Sequence, residues 1–192
     1  MSALILGLVI FLGLHSVRVF ADDWRTGVRQ RMGANAYRGL YSVTSALGLV
    51  LIVWGYSMAR MQPVLLWPTP VWTRHAAALL TLLAMVLLVA AYVPGNGIKA
   101  RLHHPMVLSV KTWALAHLLA NGMLADLALF GGFLVWAALS FRAARHRDRV
   151  GQVVYAPGRL LPTLLTVALG LVVWAVLAFW AHAALIGVRP FG

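Results

Sequence analysis

Apolar residues fall into six runs, separated by short stretches rich in arginine, glycine or proline. A membrane-spanning helix needs about 20 mostly apolar residues. The pattern predicts such helices over residues 2–21, 37–58, 75–92, 105–120, 123–141 and 160–186. The stretch from 105 to 141 is too long for one span, and Asn121-Gly122 divides it. Pro105 suits the first turn of a helix, where its missing N–H costs nothing. Pro94-Gly95-Asn96-Gly97 stops the third run. There is no internal repeat and no low-complexity linker. The expected fold is all-α, an integral membrane bundle of six transmembrane helices forming a single domain over residues 1–192.

Composition supports the membrane reading. The chain is 62% hydrophobic and 10% charged, with mean hydropathy +0.86. A soluble domain is nearer half apolar and about a quarter charged. The first run ends in Val19-Phe20-Ala21, a loose fit to a cleavage site. It lacks a basic start and carries His15 and Arg18, so it is expected to be a retained helix. With no cysteine, disulfides, thiolate ligands and cysteine nucleophiles are excluded.

Charge then orients the bundle. There are 16 Lys+Arg against 4 Asp+Glu. Such a balance occurs in nucleic-acid-binding proteins, but here the cations cluster between apolar runs, so no nucleic-acid partner is expected. Twelve of the 16 lie on alternate connections: Arg18, Arg25, Arg29, Arg31 and Arg38; Lys99 and Arg101; Arg142, Arg145, Arg147, Arg149 and Arg159. Positive connections stay cytoplasmic. Both termini are therefore expected on the outer, periplasmic side of a bacterial inner membrane. The opposite connection, with Trp67, Trp72 and three prolines, reads as interfacial.

Ionisable residues inside a span are costly and point to function. His15 and Arg18 share a helix face, with Asp22 one turn on. They read either as a helix end with a snorkelling Arg or as an axial ligand beside a cation for an acidic cofactor. His117 has Trp113 and Asn121 one turn either side. Ala114 leaves room for a flat ring, and Asn121 is the candidate to orient the imidazole or to cap the helix. His103-His104 reads as an interfacial helix start. Lys111 at its depth calls for an acidic partner or an aqueous pocket. Asp126, the acid inside a span, reads as a partner for Lys111 or an Arg, or as a proton relay. His75 and His182 belong near the outer boundary and His146 in solvent. Gly131-Gly132 reads as a close helix contact, and Tyr41, Ser42, Thr44 and Ser45 as interhelical glue.

Two intramembrane histidines, a basic rim and no cysteine suit haem b. Bis-histidine haem lies between bundle helices with its propionates toward Arg or Lys, here Arg18 and Arg38. Counted from the cytoplasmic ends, His117 lies about 9 Å deeper than His15 at the helical rise, which leaves His104 as an alternative partner.

The chain resembles the NnrU family of bacterial membrane proteins over nearly its whole length. The match is carried by Leu14-His15-Ser16 with Arg18, and by residues 33–42 (Gly-Ala-Asn-Ala-Tyr-Arg-Gly-Leu-Tyr-Ser). It continues in His104-Pro105, in residues 113–122 (Trp-Ala-Leu-Ala-His-Leu-Leu-Ala-Asn-Gly) and in residues 129–133 (Leu-Phe-Gly-Gly-Phe). The same domain occurs in zeta-carotene isomerase, a membrane haem b protein. The resemblance implies haem b and iron ligation through His15 and His117. Where the isomerase has a cysteine, this chain has Ala114, so no sulfur exists there for a ligand exchange. The family's name implies nitrite and nitric oxide metabolism in denitrifiers. The expected function is a haem b membrane protein with redox or nitrogen-oxide chemistry, or an isomerase-like activity on a lipophilic substrate. Whether it is an enzyme stays open, as does its oligomeric state. The alternative is a cofactor-free transporter or structural partner using Asp126, Lys111 and the histidines.

Overall fold

The computed structural model describes residues 1–190; the last two residues of the expected domain, 191 and 192, lie outside the described residues. The described chain is helical, with isolated bridges and no strand. The helices are α1 (Ser2–Phe20), α2 (Asp22–Met32), α3 (Ala34–Arg60), α4 (Val71–Tyr92), α5 (Gly97–Leu102), α6 (Pro105–Ala120), α7 (Leu124–Val150) and α8 (Leu160–Ile186). Five of them are long and apolar enough to cross a membrane, and α6 is a shorter apolar helix. The result is a multi-pass helical bundle. At 16 residues, α6 rises about 24 Å, short of the roughly 30 Å hydrocarbon layer.

The expected connections differ from the observed ones in one respect. Most of the basic residues are helical. Arg25, Arg29 and Arg31 sit on α2, Lys99 and Arg101 on α5, and Arg142 to Arg149 on a nine-residue continuation of α7. Charged residues end an apolar run but do not end a helix, because Arg and Lys are good helix formers. Conversely, Ala21 (φ −143°) breaks the chain between α1 and α2, so Asp22 does not continue the His15–Arg18 face. It lies in the first turn of α2 and pairs with Arg25 at 2.7 Å. That hydrogen bond holds the Asp22 carboxyl below the usual range, with Arg18 and Arg147 adding to the effect.

Packing follows the order α3–α1–α7–α6–α4–α8. Glycines set the α1–α3 contact. A Cβ on Gly7 would lie 2.6 Å from Ile52 N, and one on Gly48 2.9 Å from Phe11 N. One on Gly55 would overlap the Leu4 backbone. Backbones can approach this closely only over small residues. Ser109 Oγ donates to Ala84 O (2.7 Å) between α6 and α4. Gly132 meets Leu12 and Leu8 of α1, as the expected close contact requires. Replacing Gly55 by Ala should cost about 1–3 kcal/mol through overpacking. Gly39→Ala, with open space around it, should leave the unfolding midpoint in detergent unchanged or raised. Equal midpoints for the two variants would contradict the packing described.

At one end of the bundle, the segment after α3 straps the α6–α7 turn. Leu66 N–H donates to Gly122 O (2.8 Å), and Leu124 N–H donates to Val64 O (2.9 Å). Gly122 touches Trp67 O so closely that no side chain would fit there.

Candidate functional site

His15 and His117 stand on α1 and α6, the two helices that flank α7. Each ring is held the same way. His15 Nδ1 lies 2.7 Å from Phe11 O, and His117 Nδ1 lies 3.0 Å from Trp113 O, in both cases the carbonyl one turn earlier. A carbonyl only accepts, so Nδ1 carries the proton and Nε2 keeps its lone pair. A helix provides this arrangement unaided, and it is what a metal-ligating imidazole requires of its second nitrogen.

Aromatic side chains build the walls. Phe11 stacks on His15 (4.2 Å between centroids), with Tyr41 at 5.3 Å and Trp136 edge-on at 6.0 Å. Phe130 lies 4.6 Å and Trp113 5.1 Å from the His117 ring. Phe133 joins the halves, 5.8 Å from Phe11 and 5.7 Å from Trp113. Thus Phe130, Phe133 and Trp136, three residues apart on α7, line a path from one histidine to the other. The residues facing the two histidines, Phe130 and Trp136, differ in height by about 9 Å. The depth difference expected from sequence is therefore retained.

Several expected roles move. Asn121 does not orient the His117 ring. Its Nδ2 donates 2.9 Å to the His117 backbone carbonyl, which also accepts the Asn121 N–H, so the side chain closes the end of α6. Ala114 offers no room for a ring, being fully buried in the core with Leu129 and Phe130. Asp126 meets neither Lys111 nor an arginine. It accepts Tyr56 Oη (2.5 Å) and Met123 N–H (3.0 Å), closing the first turn of α7. Lys111 is exposed on the outside of the bundle, where its stem can snorkel toward the headgroups.

His104 belongs to another cluster. Its Nε2 lies 2.8 Å from Asp148 Oδ2, which also accepts Tyr155 Oη (3.1 Å). His103 stacks on Tyr155 at 4.0 Å and meets Arg145. Burial pushes the Tyr155 hydroxyl up, and the bond to Asp148 adds to this. His104 also gains nothing in depth. Its α7 neighbour Phe141 is five residues from Trp136, about 7–8 Å. Arg18 and Arg38 are exposed. Arg147 reaches Arg18 O at 3.3 Å. His146 is exposed, as expected, and His182 Nδ1 bonds Val188 O at 2.7 Å.

A model of the NnrU protein family matches residues 3–190. The chain belongs to the NnrU family. No match to this NnrU chain is found among curated proteins or solved structures. What sequence reasoning missed in it is the aromatic lining. The three-residue spacing of Phe130, Phe133 and Trp136 on one helix face was the available signal.

Proposed function

We propose that this NnrU protein binds haem b in the bacterial inner membrane, with His15 and His117 as axial ligands. The observation carrying the reading is the matched pair of Nδ1–carbonyl bonds, which leaves Nε2 of both rings as donors within one aromatic-lined region. Bound haem b would supply one-electron redox chemistry, directed at nitrogen oxides or at a lipophilic substrate. The chain's own residues do three things. His15 and His117 would hold the group from two helices through their Nε2 atoms. Phe11, Phe133 and Trp113 exclude water. Arg18 and Arg38 offer cations on the cytoplasmic side. The cofactor-free transporter reading needs Asp126 and Lys111 on one path, yet the first is closed by Tyr56 and Met123 and the second faces outward.

Expressed with ample haem and purified in detergent, the protein should carry about one haem b per chain by pyridine haemochrome assay. A colourless preparation would return the function to the transporter or structural reading. The proposed orientation places both termini outside. Cysteines introduced at Gln152 and Gln62, both exposed, should label from opposite faces of the membrane; labelling of both from one face would refute it.

A further inference from the structure

Two buried polar atoms of α7 have no hydrogen-bond partner among the described residues, Trp136 Nε1 and Ser140 Oγ. They lie one turn apart on one helix face. Trp136 meets the His15 ring edge-on at 6.0 Å, and Ser140 is 8% exposed. A helical serine ordinarily bonds the carbonyl one turn back, and this one does not. An indole N–H is donor only, so its missing partner is an acceptor. Two neighbouring orphan donors match an acceptor with two oxygens. Ser140 lies one turn beyond Trp136 toward the basic end of α7, where Arg142, Arg145, Arg147 and Arg149 follow. That positive charge favours an anion.

We infer that Trp136 Nε1 and Ser140 Oγ form a carboxylate-binding pair that takes a propionate of haem held at His15. The inference rests on the haem reading above and adds the residues that anchor the acidic edge. Trp136 and Ser140 are positioning residues: they fix which way the macrocycle points and touch no reacting atom. Charge-assisted bonds from buried donors exceed what the exposed guanidinium groups of Arg18 and Arg38 can supply.

The test compares haem b with its dimethyl ester, which keeps the iron and loses both carboxylates. Apo-protein in detergent is titrated with each, and binding is read from the absorbance of the bound haem. The Trp136→Phe/Ser140→Ala double variant should bind haem b about tenfold or more weakly than wild type and lose clearly less affinity for the ester, whose carbonyls still accept but carry no charge. Retained ester binding also reports an intact fold. Should the double variant fail to fold, Ser140→Ala alone should weaken haem b about threefold and the ester less. Losses equal for the two ligands, or no loss for either, would overturn the carboxylate pair and spare the haem reading. A wild-type protein that binds neither ligand overturns both.

Discussion

Replacing His117 by Ala should strip the protein of six-coordinate, low-spin haem, and His15→Ala should do the same. Each substitution removes one of the two Nε2 donors whose Nδ1 is bonded to a helix carbonyl. Outer-shell changes at metal-binding histidines already cost about 10–100-fold in affinity, and loss of the ligand itself costs more. His104→Ala should retain the spectrum, because that imidazole is engaged by Asp148 in a separate cluster. His146→Ala, in solvent, should also be silent. Absorption spectra of the four purified variants decide the matter. If His104→Ala loses the low-spin signal and His117→Ala keeps it, the ligand has been assigned to the wrong end of α6.

The second large effect is on stability. Asp126→Ala should lower stability by roughly 2–4 kcal/mol, the sum of a stranded Tyr56 hydroxyl and a lost cap on α7. The carboxylate is buried and serves both groups at once. Tyr56→Phe, which removes the hydroxyl together with its need for a partner, should cost less than Asp126→Ala. Thermal unfolding in detergent compares them. A pair of equal midpoints would mean that Asp126 is not the structural hub described, and would reopen its role as a relay.

Much of the fold was legible because lipid imposes one simple rule: a span must be apolar for long enough. Residues 160–186 and 105–120 were placed with both ends correct, since arginine, proline and Asn121-Gly122 mark those ends. The continuation of α7 to Val150 was not legible, because hydropathy reports where lipid ends and helix propensity does not change there. The histidines were visible as costly groups in apolar runs. Their ring orientation followed from nothing more than a carbonyl one turn back, yet sequence reasoning sought that acceptor in Asn121. The roles of Asp126 and Lys111 depended on which way each helix is rotated. An apolar helix in lipid carries little amphipathic pattern to reveal this, and α6 shows none. The Gly7, Gly48 and Gly55 contact was hidden for a related reason: a glycine in a run of leucines reads as apolar filler until the facing helix is known.

The central claim is that His15 and His117 together hold one haem b between α1 and α6. The most direct measurement is the optical and electron paramagnetic resonance spectrum of the wild-type protein, oxidised and dithionite-reduced, after expression with ample haem. The account predicts a six-coordinate, low-spin centre with two imidazole ligands in both redox states. A five-coordinate high-spin centre, or no haem at all, would contradict it.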